Sequence, residues 1–296
     1  MSHSIFDLIK ERTVLLDGGM GTELIRFDFP KGACPESWNV EKPEIVKKIH
    51  ISYFDAGSDV VLTNSFGGSK VKLASYGLED RCYELNLKAA ELANEVKPEG
   101  KFVAGSMGPT GKFLKPHGEL TEDELEEAYA EQAKGLAAGN VDFLLIETQY
   151  DIKEALLALK GARKHSDLPA FVTMTFNRNP RGYFTIMGNS VSHCVEELEK
   201  NSVPVTGTNC TLDSADMVEL VKIMRETTSL PIIVQANAGK PSLSSDGTVT
   251  YSQDIEDYVG YIPQMIKNGA NIIGGCCGTN PDYIHRMAEI IKENKK

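Results

Sequence analysis

The sequence predicts an α/β protein folded as a single-domain (β/α)8 TIM barrel, and three observations carry that expectation. Eight short apolar runs punctuate the chain, and most are followed by a stretch with helical periodicity. Each run ends on polar or thiol residues, as barrel strands do where they open onto the C-terminal face. No Pro/Gly/Ser-rich linker, charge block or low-complexity segment divides the 296 residues, so 1–296 reads as one domain. A doubly wound open sheet is the competing arrangement, and the count of eight favours the barrel.

In chain order, the run 13–16 ends at Asp17-Gly18-Gly19, and 59–62 ends at Thr63-Asn64-Ser65. The run 102–105 leads into Ser106-Met107-Gly108, and 142–146 leads into Glu147-Thr148. Next, 170–175 closes on Thr175 and 204–208 on Asn209-Cys210; 232–235 precedes Asn237, and 271–273 precedes Cys276-Cys277. Helical periodicity is clearest over 122–138, 152–164, 214–226, 252–267 and 281–293. Three of these carry start signals. Thr121 with Glu124 and Asp151 with Glu154 have capping-box spacing, and Asn280-Pro281 puts proline at the first helical position.

The formal charge of −11 disfavours nucleic acid and anionic membranes as partners, because both call for basic patches. Residues 1–7 lack a basic segment followed by an apolar one, and no run of about 18 apolar residues exists, so neither an export leader nor a membrane span is expected. Six cysteines in so long a chain make no disulfide framework; reduced thiols and a cytoplasmic location follow as expectations.

The cysteines carry the most specific chemistry. Cys276 and Cys277 stand side by side in Gly274-Gly275-Cys276-Cys277-Gly278, and Cys210 closes Gly207-Thr208-Asn209-Cys210. Adjacent cysteines rarely bond to each other, because the ring is strained away from disulfide geometry. Three soft thiolates with a fourth position open suit a reactive zinc site, where a bound substrate thiol would be deprotonated. Cys34, Cys82 and Cys194 read as small core hydrophobes.

Asp17-Gly18-Gly19-Met20-Gly21-Thr22-Glu23 lacks the spacing of a dinucleotide fingerprint. It reads as a carboxylate for an ammonium group beside backbone N–H groups for a carboxylate, or as a plain glycine-rich turn. Glu147 ends a very apolar strand and needs a partner, either a substrate ammonium or a loop Lys or Arg. The segment 105–112 fails the P-loop test, since Ser106 replaces the first Gly and Phe113 the Ser or Thr; it reads as a turn, with or without substrate against its backbone. No His cluster has metal-ligand spacing. His50, His165 and His285 read as helix-surface residues, His117 as a solvated loop residue, and the single Trp38 offers no stacking platform.

Taken together, Leu16-Asp17-Gly18-Gly19-Met20-Gly21-Thr22-Glu23, Thr63-Asn64-Ser65-Phe66, Gly105-Ser106-Met107-Gly108-Pro109, Glu147-Thr148, Gly207-Thr208-Asn209-Cys210, Asn237-Ala238-Gly239 and Gly274-Gly275-Cys276-Cys277-Gly278-Thr279 resemble the homocysteine S-methyltransferase family, in order and over almost the whole chain. The resemblance implies a homocysteine-binding (β/α)8 barrel with catalytic Zn²⁺ on Cys210, Cys276 and Cys277, and with Asn237 filling the open position when substrate is absent. It implies that the homocysteine sulfur enters as a zinc ligand. Asp17 and Glu147 would meet the substrate ammonium and the amides near Gly18 and Gly19 its carboxylate, with Ser106, Asn209 and Asn237 also among the substrate contacts. The expected product is methionine. The expected donor is methylcobalamin on a separate corrinoid protein, or a sulfonium compound. The betaine-using branch is expected to carry tyrosine where this chain has Thr148. With about one helix following Cys277, no folate or corrinoid module is expected within this sequence. A different thiol or selenol acceptor, or a non-enzymatic zinc- or thiol-binding component of a methyl-transfer system, are the alternative readings. The stretch 176–188, with two arginines and several aromatics, reads either as a contact for a donor or partner or as a solvated loop.

Overall fold

The computed structural model describes residues 4–243 and 249–294, so the ends of the expected 1–296 domain, and part of the N-terminal segment read for a leader, lie outside the described residues. Eight strands form one sheet: β1 (Val14–Leu15), β2 (Val60–Leu62), β3 (Phe102–Met107), β4 (Phe143–Gln149), β5 (Ala170–Met174), β6 (Thr206–Asp213), β7 (Ile232–Asn237) and β8 (Ala270–Gly275). They run parallel in the order β2-β3-β4-β5-β6-β7-β8-β1. This is the expected TIM-like barrel with surrounding helices, and all eight predicted runs are strands.

The seam between β1 and β2 closes on two carboxylates as well as on backbone. Asp59 N donates to Leu15 O at 2.7 Å, and Leu15 N donates back to Asp59 Oδ2 at 3.0 Å. Asp17 Oδ2 accepts from Leu62 N at 2.8 Å. Burial pushes the Asp59 carboxyl up. The forked Arg12 guanidinium at 2.6 and 2.7 Å, with the Leu15 amide and Lys101, outweighs it and holds the group below its ordinary value.

The strands read as near-continuous apolar runs because both faces are buried. Alternate residues point inward: Leu16, Val60, Leu62, Phe102, Ala104, Phe143, Leu145, Phe171, Val205, Ile233 and Ile272 fill the barrel. Phe143 stacks on Phe171 at 4.4 Å. The intervening residues, such as Val61, Val103, Leu144, Val172 and Ile273, pack outward against the helices. The barrel floor is plugged by the helix Ile5–Glu11 through Ile5, Leu8 and Ile9, an element that sequence periodicity does not pick out.

Three expectations about helices change. The segment 252–267 forms two helices, Ile255–Val259 and Ile262–Lys267. Pro263 has no N–H to bond the Val259 carbonyl and its ring would clash with it, so one helix cannot run through. Asp151 does cap its helix, accepting from Lys153 N at 2.9 Å. Glu154, however, turns inward to Thr110 N, Thr110 Oγ1 and Tyr129 instead of completing a capping box. His50 lies on the buried face of the helix Pro43–Asp55, with both ring nitrogens unpartnered among the described residues. The box at Thr121 and the Asn280 cap form as expected.

Candidate active site

The sequence-predicted site residues converge at the C-terminal ends of the strands. The sulfurs of Cys210, Cys276 and Cys277 lie within 4.8 Å of one another. Cys277 is exposed and the other two are half-buried. The cluster is built by two turns from opposite ends of the chain. Gly278 N donates to Thr22 Oγ1 at 3.0 Å, and Gly19 N donates to the Thr279 hydroxyl at 3.2 Å, while Thr279 Oγ1 donates to Cys276 O at 2.7 Å. The third side is β7: Cys276 N bonds Ala236 O and Ala238 N bonds Cys277 O. Gly18 and Gly19 are glycines for a steric reason. A Cβ on Gly18 would sit 2.8 Å from Thr279 Oγ1, and one on Gly19 would sit 2.8 Å from Cys276 O.

Cys210 and Thr211 both have left-handed backbones (φ 63° and 64°), as does Thr148 on β4 (φ 60°). Such conformations are sparsely populated for these residue types and persist where surrounding structure holds them. Hydrogen bonds from Cys276 and Cys277, helped by the Thr211 amide and Asn237, lower the Cys210 thiol below its ordinary value; the other two thiols rise.

Next to the sulfurs runs a buried polar belt. Ser106 Oγ donates to Glu147 Oε1 at 2.5 Å, and Asn209 Nδ2 donates to Glu147 Oε2 at 3.1 Å. Behind Ser106, its amide donates to Thr63 Oγ1, which meets Ser65 Oγ at 2.6 Å. Glu147 makes no ion pair with a Lys or Arg among the described residues, and burial raises its pKa to about 7. Burial likewise raises Asp17 well above its ordinary range, with Glu147 adding to the shift. Asp17 Oδ1 and Asn237 Oδ1 are buried with no hydrogen-bond partner among the described residues. Two uncompensated carboxylates and an orphan amide oxygen, beside three thiols, make a mouth that favours a cation and a soft metal.

Sequence reasoning misses several contributors. Thr173 binds Asn209 from inside β5 at 2.8 Å, and Thr279 ties the two glycine turns together. Tyr251 lies against Gly278 so closely that a Cβ there would be 2.4 Å from its ring. Burial and the neighbouring thiols raise the Tyr251 phenol to about 12. The three remaining cysteines are buried, as expected, with Cys34 bonding Glu36 and Cys82 bonding Gly68 O. The 176–188 stretch is a hairpin, Asn177–Asn179 with Gly182–Phe184. Its Arg178 pairs with Asp216 at 2.8 Å and Tyr183 with Glu219 at 2.9 Å, which pins it to the helix Ser214–Thr227.

The homocysteine S-methyltransferase family model matches residues 14–291. The chain belongs to that family. Among curated relatives it is 30% identical to the methionine synthase of Mycobacterium tuberculosis (strain ATCC 25618 / H37Rv) over 312 residues, covering 99% of this chain and 26% of that protein. It is 30% identical to the Mycobacterium leprae (strain TN) methionine synthase over 307 residues, covering 97% of this chain and 25% of that one. The chain thus spans about a quarter of the length of the curated relatives it matches. Among solved structures, the metallated form of the Escherichia coli homocysteine methyltransferase MmuM superposes with a TM-score of 0.79 at 24% identity, covering 96% of this chain and 98% of that one. The carboxyl transferase domain of Rhizobium etli pyruvate carboxylase (Y628A, with pyruvate) shares the barrel at a TM-score of 0.53 and 13% identity, over 97% of this chain and 49% of that one. At these identities the structural matches speak for the fold. No helix among the described residues is long and apolar enough to cross a membrane.

Proposed function

We propose that residues 1–296 act as a homocysteine-binding, zinc-dependent S-methyltransferase that moves a methyl group onto the homocysteine thiolate to give methionine. The observation that carries this reading is the three-sulfur cluster beside two buried carboxylates that lack a cation. Cys210, Cys276 and Cys277 would hold the metal. Tetrahedral ligation at about 2.3 Å places sulfurs roughly 3.8 Å apart, which fits within the span of the cluster. When bound there, zinc supplies a Lewis acid that keeps the substrate sulfur ionised at neutral pH. In the absence of substrate the Asn237 oxygen is the nearby orphan acceptor suited to the fourth position.

The chain's own residues do the orienting. Asp17 Oδ1 and Glu147 take the substrate ammonium, satisfying a buried oxygen and neutralising a carboxylate that burial disfavours. The Gly18 side of the turn receives the substrate carboxylate, because the Gly19 N–H is already donated to Thr279 and serves to hold the turn in place. Ser106 holds the Glu147 carboxylate from the other side. With both polar ends fixed, the sulfur is presented in line to an incoming methyl group, which lowers the entropic part of the barrier. The donor is methylcobalamin on a separate corrinoid protein or a sulfonium compound. Thr148 in place of a tyrosine argues against betaine.

Zinc-edge X-ray absorption with and without homocysteine tests the reading. The expected change is from three sulfurs plus one nitrogen or oxygen to four sulfurs. A shell that homocysteine leaves unchanged overturns it. Cys276→Ala is expected to abolish turnover and sharply weaken zinc binding; retained zinc with full activity refutes the ligand set. Methyl-transfer assays with methylcobalamin, S-methylmethionine, S-adenosylmethionine and betaine rank the donors, and activity with betaine alone refutes the donor assignment.

A further inference from the structure

The Asn209 side chain is fully buried and all its hydrogen-bonding capacity is taken up by the protein. Its Oδ1 accepts from Thr148 N and from Thr173 Oγ1, both at 2.8 Å. Its Nδ2 donates to Thr148 Oγ1 at 2.7 Å and to Glu147 Oε2 at 3.1 Å. A side-chain amide has two acceptor sites and two donors, so nothing is left over for a substrate. The Thr148 amide is a donor only, which settles which end of the Asn209 side chain is oxygen.

The location of these four bonds is as informative as their number. Thr148 and Cys210 both hold left-handed backbones, and Asn209 joins them across β4 and β6: it grips the amide and the hydroxyl of the first and immediately precedes the second. Glu147 is the residue before Thr148. One amide therefore fixes the aim of the carboxylate and the turn that presents the Cys210 thiol, while Thr173 locks that amide from inside β5. Only Ser106 and Asn209 hold the Glu147 carboxylate among the described residues.

In place of a direct substrate contact, we propose that Asn209, braced by Thr173, is a positioning residue that sets the selectivity of the site for thiols bearing an α-ammonium group. The inference rests on the reading that Glu147 receives that ammonium. A carboxylate meets an ammonium well only when its oxygens are held at the right place in a buried site, and loss of one of its two supports lets it turn away.

The test compares homocysteine with 4-mercaptobutanoate, which has the same thiol, chain and carboxylate but no amino group. Binding of each to zinc-loaded protein is measured by calorimetry for the parent, Asn209→Ala and Thr173→Val, with zinc per chain determined alongside. The parent is expected to prefer homocysteine by about tenfold or more, the scale of a charge-assisted contact. Asn209→Ala is expected to bring the two ligands within about threefold of each other by weakening homocysteine selectively, and Thr173→Val to give a partial loss in the same direction. A general loosening of the fold would weaken both ligands alike. A preference fully retained in Asn209→Ala overturns this inference and leaves the Glu147 reading standing. A parent with no preference overturns both. If Asn209→Ala does not fold, Thr173→Val decides, and an unchanged preference in that variant overturns the proposal.

Discussion

Replacing Glu147 with glutamine should make the metal-free protein more stable at neutral pH while disabling substrate binding. Glu147 titrates near 4.5 in an unfolded chain, and burial raises it to about 7 in the folded one. The folded state therefore holds the proton more tightly than the unfolded state. Stability from this group is fully present below the unfolded value and declines as pH rises from 4.5 towards 7. Above pH 7 the folded protein carries a buried carboxylate whose partners are a hydroxyl and an amide. At about 1.4 kcal/mol per pH unit, that penalty approaches ~3 kcal/mol. Glutamine has the same shape and no charge. Its oxygen can accept from Asn209 Nδ2, and its NH₂ can donate to Ser106 Oγ, which can accept as readily as donate. The expected result is a gain of up to about 3 kcal/mol at pH 8 that shrinks towards zero near pH 4, read from urea unfolding of chelator-treated protein. Homocysteine affinity should fall by at least about tenfold in the zinc-loaded variant, since an ammonium then meets a neutral amide. A variant no more stable than its parent at pH 8 would refute the claim that the Glu147 carboxylate is uncompensated in the folded state.

Two further perturbations probe the scaffold. Asp59→Ala removes the acceptor that ties Arg12, Lys101 and the Leu15 amide across the β1–β2 seam. It should destabilise the protein by about 3–5 kcal/mol by urea unfolding, because a guanidinium and a strand amide lose their partner; a loss below about 1 kcal/mol would show that the backbone bond and the Asp17 carboxylate close the seam without Asp59. His50 is buried with no partner among the described residues, and burial lowers its pKa from 6.5 to about 4. The unfolded chain therefore takes up a proton that the folded one refuses, and stability should decline as pH falls from 6.5 towards 4, by up to about 3 kcal/mol. His50→Leu should flatten that part of the stability profile, and an unaltered slope would show that other groups set it.

Much of this was legible in the sequence because a parallel barrel buries both faces of each strand. That turns strands into apolar runs and concentrates polar residues at one end of each, so Glu147, Cys210 and Cys276 stand out against what precedes them. The misreadings share a different cause. Glu154 has the spacing of a capping box, and spacing does not reveal that a loop amide at Thr110 and the Tyr129 hydroxyl compete for its carboxylate. His50 is a polar side chain on a helix that also carries Lys47 and Lys48, yet it falls on the face carrying Val46, Ile49 and Tyr53. The helix Ile5–Glu11 has only seven residues, too few for periodicity to assert itself.

Thr173 shows where a sharper reading was available. Within β5 it passes for an ordinary β-branched strand residue, flanked by Val172 and Met174. Period-2 alternation nevertheless puts it on the same face as Phe171, and Phe171 lies inside the barrel. A hydroxyl facing the interior must find a hydrogen-bond partner, and the inner positions near that height on neighbouring strands include Glu147 and Asn209. The pairing of Thr173 with Asn209 spans 36 residues and appears in no local motif. It follows from strand phase together with the rule that buried polar groups are satisfied, and the same argument links Ser106 to Glu147. In a barrel of this kind the polar residues that share the inner phase of the strands form the supporting shell of the site, and Asn209 is the member whose removal breaks the most of it.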